Sequence, residues 1–162
     1  RTSEVTNTDA EGRLVMMDAL AYAVAKLEPD VLLDIATLTG AVLVALGGAT
    51  AGLFGNEPGL IDQVKAAGAA VDEPVWQLPL EKKYRKQLDS EVADISNLGG
   101  PFAGSTTAAL FLAEFVGEVP WAHIDIAGTM NVDADDSWRS KGATGYGARL
   151  LAELARDFTP KA

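Results

Sequence analysis

Short apolar, β-branched runs alternate with stretches of helical periodicity along this chain of 162 residues. Residues 31–35 and 121–126 have the length of buried strands. Residues 51–54 are predicted to form a further strand in a stretch that is punctuated by glycines. Strands that alternate with helices build parallel or mixed sheets whose two faces are both covered. The pattern therefore predicts an α/β fold of three layers, a mostly parallel or mixed sheet with helices on both faces.

The helices are expected from periodicity and from the prolines at their ends. Pro58 is placed to open one helix, and Pro29 follows the end of another. Periodicity leaves residues 41–46 open, as a short helix or as a further buried segment. The predicted helices cover residues 13–27, 59–68, 107–116 and 148–157, with a strand at 75–80 and a charged helical start in 81–90.

An excess of acidic residues restricts the partners of the chain. Asp and Glu number 23 against 13 Lys and Arg, which gives a formal charge of -10. Nucleic acids and anionic membranes are bound by clustered basic residues, and the basic cluster at 82–86 has acidic neighbours that favour a solvated helix face. No apolar run approaches a membrane span, and the absence of cysteine agrees with a reducing compartment. We expect no nucleic-acid partner, no membrane and a cytoplasmic location.

Most of the chemistry that can be named lies in residues 7–14, NTDAEGRL. Asp9, Glu11 and Arg13 are two residues apart, so an extended backbone would direct all three to one face. Two carboxylates aimed at one point suit a divalent cation, and a guanidinium beside them can hold an anion. A structural alternative is a capping box, which Thr8 and Glu11 also spell. Spacing alone favours the capping box.

The residue counts restrict any metal site further. The chain has no cysteine and one histidine, His123, so thiolate or multi-imidazole zinc sites cannot be assembled from it. Oxygen ligands suit manganese, magnesium or carboxylate-bound zinc. His123 is predicted to be a strand histidine that is hydrogen-bonded in the interior, and Asp18 and Asp125 are considered as further buried carboxylates.

A glycine-rich loop at residues 97–107, NLGGPFAGSTT, leads into a predicted helix. Such a loop can cradle a phosphate at a helix start, which leaves a nucleotide-binding α/β domain as an alternative. The loop lacks the lysine and the spacing of a P-loop, so this alternative has little support.

Five segments carry a resemblance to a known family. NTDAEGRL resembles the signature of the leucyl or cytosol aminopeptidases, two-metal enzymes that remove amino-terminal residues from peptides. The later segments of that family are similar, in the same order, to LDIATLTGA (33–41), ADISNLGG (93–100), WAHIDIAGT (121–129) and KGATGYG (141–147). The resemblance covers essentially the whole chain and implies hydrolysis by a hydroxide that bridges two divalent metal ions, manganese or zinc.

The resemblance implies catalytic roles within NTDAEGRL. Asp9 would bind one metal ion and Glu11 would bridge both. Arg13 would hold a bicarbonate ion that relays the proton of the nucleophile, a task that suits the two-pronged guanidinium. Without the resemblance, Arg13 would be interpreted as the partner of Glu11 in a surface ion pair.

Substrate contacts are implied in two further segments. Thr37, Leu38 and Gly40 would contact the bound peptide, with the Leu38 carbonyl orienting its main chain. Ala127 and Met130 would line an apolar, adaptable pocket for the amino-terminal side chain. Without the resemblance, all five would be interpreted as ordinary packing residues.

The resemblance also implies ligands that this chain lacks. The metal centre of the family needs a lysine and two aspartates, and a further lysine polarises the substrate carbonyl, all of them before NTDAEGRL. Residues 1–162 are therefore expected to be the carboxy-terminal portion of a catalytic domain, inactive alone, whose parent forms a hexamer. The alternative is a diverged or truncated assembly or binding module of the same fold.

Overall fold

A mixed sheet of four strands forms the centre of the computed structural model, which describes residues 1–135 and 139–160. Its spatial order is β2 (Leu32–Ala36), β6 (Trp121–Asp125), β3 (Ala51–Gly55) and β4 (Val75–Gln77). β2 is parallel to β6 and β3 to β4, whereas β3 is antiparallel to β6. Two short pairs lie beside it, β1 (Ser3–Glu4) parallel to β5 (Ile95–Ser96) and β7 (Asn131–Val132) antiparallel to β8 (Gly142–Ala143).

The helices confirm most of the predicted boundaries. A π-helical turn at Ala23–Leu27 continues the first helix, which ends before Pro29 because Glu28 is left-handed at φ 47°. The open segment 41–46 is helical, and the fourth helix begins at Gly104 rather than Thr107. The α-helices of the described residues are α1 (Gly12–Tyr22), α2 (Gly40–Leu46), α3 (Pro58–Ala70), α4 (Gly104–Val116) and α5 (Ala148–Asp157), and a 3-10 helix covers Lys82–Leu88.

Helices cover both faces of the sheet, which confirms the three-layer α/β fold. α3 and α5 pack on one face, where Leu53 shares a core with Leu60 and Leu150. α1 and α4 pack on the other face, where Phe54 lies in a core with Phe111. Leu53 and Phe54 face opposite layers because successive side chains of a strand point to opposite sides. No helix among the described residues is long and apolar enough to cross a membrane.

Two charged or titratable side chains are paired inside the sheet. Asp34 and His123 are register partners on β2 and β6, and Oδ1 of Asp34 lies 2.5 Å from Nδ1 of His123. The indole of Trp121 donates a 2.7 Å hydrogen bond to the other oxygen of Asp34. His123 is 1% exposed, which confirms its interpretation as an interior strand histidine. The predicted burial of Asp18 is wrong, because α1 packs through other positions such as Leu20 and leaves Asp18 exposed.

Candidate functional site

The two segments that carry the predicted substrate contacts leave the same edge of the sheet. The last residues of β2 and β6, Ala36 and Asp125, are register partners on parallel strands. The pairing continues one step further, since the Ile126 amide donates to the Ala36 carbonyl at 2.9 Å. Because parallel strands end at a common edge, residues 37–40 and 126–130 are neighbours there.

Asp125 joins these two segments through hydrogen bonds. One carboxylate oxygen accepts from the backbone amides of Leu38 at 3.0 Å, Thr39 at 3.4 Å and Ala127 at 3.2 Å. The other oxygen accepts from the Thr39 hydroxyl at 2.6 Å. The side chain is fully buried, as the sequence predicts. The Asp125 carboxylate therefore fixes the backbone conformation of both predicted substrate segments.

The Thr39 hydroxyl also ties the start of α2 to α4. Its oxygen accepts a hydrogen bond from the Val42 amide at 3.2 Å and lies 3.1 Å from the hydroxyl oxygen of Ser105. Thr39 is thus the residue that caps α2. Gly40, the first residue of α2, directly follows this cap and is exposed.

The remaining predicted contacts lie at the surface of this edge. Thr37 is exposed, Ala127 is partly buried and Met130 is 46% exposed. Ala127 and Met130 lie on a loop that packs closely against the end of α2 at Gly128. A Cβ at Gly128 would stand 2.3 Å from the carbonyl oxygen of Gly47, so only glycine allows this approach. The structure thus gathers the five substrate residues predicted from the sequence at one edge, and their contacts with a peptide stay predictions.

NTDAEGRL is held by a buried asparagine from a distant part of the chain. The Asn97 side chain is 0% exposed, and its oxygen accepts from the amides of Thr6 at 2.9 Å and Asn7 at 3.2 Å. Its nitrogen donates to the carbonyls of Asn7 at 2.7 Å and Ala10 at 3.3 Å. The backbone N–H of Asn97 donates to the Glu4 carbonyl at 2.9 Å, which extends the pairing of β1 with β5.

The start of α1 differs from both sequence interpretations of its spacing. Glu11 is the capping position, and no side chain caps the helix there, so the capping box of Thr8 and Glu11 is wrong. Glu11 has helical angles of φ -74° and ψ -32°, so the extended arrangement of the three side chains is wrong as well. Asp9 and Glu11 are exposed, whereas Arg13 is buried. The helix therefore begins one residue after the second carboxylate and turns the guanidinium inward.

Arg13 is a buried cation with an unsatisfied hydrogen-bonding atom. The residue is 5% exposed, which excludes a surface ion pair, and its Nη1 has no hydrogen-bond partner among the residues that the structure describes. Burial lowers the pKa of Arg13, and the negative charge of nearby Asp125 acts in the opposite direction. A buried donor without an acceptor is unfavourable, so this position is suited to an anion.

The described residues do not form a complete metal-binding set by themselves. Within residues 1–135 and 139–160, no three acidic or histidine side chains lie close enough together to hold a metal ion. Asp9 and Glu11 offer two exposed carboxylates on one anchored loop, and oxygen donors of this kind suit divalent cations. A complete site at this position requires further ligands.

A cleft of about 800 Å³ lies away from this edge. It is bordered by Val31 and Pro120, which precede β2 and β6, and by Phe158 near the end of the described chain. None of the residues predicted to bind metal or substrate lines it. The chemistry-bearing residues are instead gathered where β2 and β6 end.

Sequence patterns do not single out Asn97, although it belongs to ADISNLGG. An asparagine after Ile95 and Ser96 gives no signal of burial, and it does not reveal a partner some 90 positions away. For Asp125, a carboxylate inside the apolar run WAHIDIAG gives a clearer signal of burial. In both cases the partners come from the tertiary fold.

Comparison with known proteins identifies the relatives of this chain. The profile of the cytosol aminopeptidase family, catalytic domain, matches residues 1–152. A probable cytosol aminopeptidase of Desulfotalea psychrophila is 52% identical over 157 residues, which are 97% of this chain and 31% of that protein. Those of Rhizobium rhizogenes and Brucella melitensis are 51% and 50% identical over 97% of this chain and 32% of their own length. The chain thus spans about a third of these relatives, and it belongs to the cytosol aminopeptidase family through that catalytic domain.

Proposed function

We propose that this chain is the carboxy-terminal portion of the catalytic domain of a cytoplasmic metalloaminopeptidase, which removes amino-terminal residues from peptides. The observation that carries the proposal is the meeting of three segments at one sheet edge. The anchored carboxylate loop leads into Gly12 and buried Arg13, a Cβ at Gly12 would meet the Leu38 side chain at 3.3 Å, and Asp125 holds the proposed substrate segments of Leu38 and Ala127. Catalytic residues of open α/β sheets collect at such an edge.

Asp9 and Glu11 are the residues proposed to hold metal. Two divalent ions, manganese or zinc, would polarise the scissile carbonyl and lower the pKa of a water molecule. Both carboxylates are exposed at the surface of their loop, so they are accessible to such ions. We propose that the other ligands, a lysine and two aspartates, and a carbonyl-polarising lysine are supplied by residues of the parent protein outside this chain.

Arg13 is proposed to hold a bicarbonate ion. Its burial, and an Nη1 that finds no partner among the described residues, fit an anionic guest, because the guest would satisfy the donor and balance the charge. A bicarbonate oxygen held there would accept the proton of the nucleophile and release it to the leaving amine. Arg13 itself stays protonated throughout, since a guanidinium does not give up its proton in a protein.

The backbone around Leu38 is proposed to orient the peptide. The amide hydrogen and carbonyl oxygen of a trans peptide group point in opposite directions. Because the Thr39 amide faces buried Asp125, the Leu38 carbonyl points away from that carboxylate, where it could accept from a substrate amine or amide. Ala127 and Met130 would form the apolar wall for the amino-terminal side chain.

The complete polypeptide that carries this chain provides the test. It should hydrolyse leucine p-nitroanilide in the presence of Mn²⁺ or Zn²⁺, and Asp9→Asn and Glu11→Gln should abolish that activity. The 162-residue chain should have negligible activity, because a site with few of its ligands binds metal weakly. A complete polypeptide that binds no metal would contradict the proposal and favour a non-catalytic assembly module.

Peptides are the proposed substrates, and a homo-oligomer, a hexamer for the parent, is the proposed assembly. Light scattering of the complete polypeptide measures its mass directly. A monomer at working concentration would contradict the proposed assembly while leaving the peptidase proposal intact.

A further inference from the structure

The loop that carries Asp9 and Glu11 has few anchors of its own. β1 before it pairs over only Ser3–Glu4, and no side chain caps α1 after it. Within the loop, Asn7 accepts from the Asp9 amide at 2.8 Å. The buried contacts of the loop are made with Asn97 and with the Ser96 hydroxyl, which lies 3.1 Å from that of Thr6.

A side-chain amide is the group that this loop requires. The loop presents amide donors at Thr6 and Asn7 and carbonyl acceptors at Asn7 and Ala10, all toward one buried point. An asparagine offers an acceptor oxygen and a donor nitrogen on one rigid plane, whereas a carboxylate only accepts and an aliphatic side chain does neither. Asn97 therefore sets the path of both ends of the segment 6–10.

We infer that Asn97 is a positioning residue for metal binding, and that it fixes the backbone of residues 6–10 from which Asp9 and the neighbouring Glu11 would reach the ions. The Asn97 side chain bonds the backbone on either side of Asp9, at Asn7 and at Ala10. Ala10 directly precedes Glu11. Residues that orient metal ligands from behind commonly change metal affinity when they are replaced. The inference rests on the proposed function, because it assumes that Asp9 and Glu11 bind metal.

Mn²⁺ affinity of the complete polypeptide is the measurement that tests this role. After treatment with a chelator, the unmodified protein and Asn97→Ala are titrated with Mn²⁺ in a calorimeter. The replacement should lower the affinity by on the order of 10- to 100-fold, as is typical for groups that orient metal ligands. Circular dichroism confirms that the titrated protein is folded.

Asn56→Ala is the matched control for loss of stability. The Asn56 side chain also bridges backbone groups, since its oxygen accepts from the Trp121 amide at 2.7 Å and its nitrogen donates to the Val119 carbonyl at 2.9 Å. These contacts lie at the opposite edge of the sheet, where β6 begins. Asn56→Ala should therefore lower the thermal midpoint while its Mn²⁺ affinity stays unchanged.

The outcomes separate this inference from the proposed function. Unchanged affinity in Asn97→Ala, or an equal loss in Asn56→Ala, would overturn the role of Asn97 and leave Asp9 and Glu11 as ligands. An unmodified protein that binds no Mn²⁺ would overturn the proposed function itself. If Asn97→Ala does not fold, Asn97→Asp takes its place; it keeps the acceptor, loses the donor and should weaken Mn²⁺ binding for the same reason.

Discussion

The carboxylate of Asp125 accepts a 2.6 Å hydrogen bond from the hydroxyl of Thr39, and both side chains are buried. The same hydroxyl accepts from the first turn of α2, so the end of β6 and the start of α2 are joined through one oxygen. Burial lowers the pKa of Arg13, and the negative charge of Asp125 partly opposes that shift. Asp125 and Thr39 therefore connect the proposed anion site to the proposed substrate loop.

Asp125→Ala should destabilise the fold by about 3 kcal/mol, since buried donors left without an acceptor cost about 1–3 kcal/mol each. The affected donors are the amides of Leu38, Thr39 and Ala127 and the hydroxyl of Thr39. Asp125→Asn should cost only about 1 kcal/mol, because its amide oxygen still accepts from the backbone. Denaturant titration measures the free energy of unfolding of both Asp125 variants, and Asp18→Asn, a change at an exposed residue, serves as the control. Equal losses in Asp125→Ala and Asp125→Asn would contradict this account.

Arg13→Met should reduce kcat of the complete polypeptide by roughly 100-fold, because the proton-accepting anion loses its holder. The thermal midpoint should not fall, since replacing a buried charge that lacks a full set of partners is often neutral or stabilising. Arg13→Lys should fail to restore activity, because an ammonium cannot bind an anion with two parallel hydrogen bonds. Full activity in Arg13→Lys, or no change in the response to added bicarbonate, would argue against the anion site.

Tyr146 should make stability fall at alkaline pH. Burial raises the pKa of Tyr146, whose hydroxyl donates to the Pro74 carbonyl. Above about pH 10 the unfolded chain can ionise this phenol while the folded chain resists ionisation, so unfolding becomes more favourable as the pH rises. Below that pH the contribution is fully present. Between about pH 9 and 11, roughly one unit either side of the ordinary tyrosine pKa, Tyr146→Phe should show a flatter decline in urea unfolding, whereas exposed Tyr84→Phe should behave as the unmodified protein does.

Gly128→Ala should raise KM for peptide substrates more than it lowers kcat. A Cβ at this position would stand 2.3 Å from the Gly47 carbonyl oxygen, so the loop with Ala127 and Met130 must move away from α2. Gly48→Ala is the matched control, because its Cβ would meet the Gly128 carbonyl oxygen at an ordinary 3.4 Å. The two variants are compared by steady-state kinetics of the complete polypeptide. A KM for Gly128→Ala equal to that of Gly48→Ala would contradict the proposed pocket wall.

Local patterns in the sequence predict the longer helices and the strands β2, β3 and β6, whereas the short strands β1, β5, β7 and β8 and the helical state of residues 41–46 are not predicted. The predicted helix at 148–157, the continuation of the first helix to Leu27 and the predicted strand at 51–54 all agree with the structure. Strand and helix periodicities depend on neighbours within a few residues, so a single sequence displays them. The chemical groups of residues 9–13, 37–40 and 126–130 are likewise recognisable from the sequence.

What joins those segments was decided by the tertiary structure alone. Asn97 meets Asn7 across 90 positions, and Asp125 meets Leu38 across 87, distances over which no sequence periodicity operates. Thr8 and Glu11 match the sequence of a capping box that does not form, because Asn97 binds the backbone of the preceding loop and α1 begins at Gly12 instead. The sequence by itself determined the elements, the family and the identity of the chemical groups. Their burial and their hydrogen-bond partners follow from packing, because the partners of buried polar atoms come from wherever the fold brings them, and within the described residues packing leaves Nη1 of Arg13 without one.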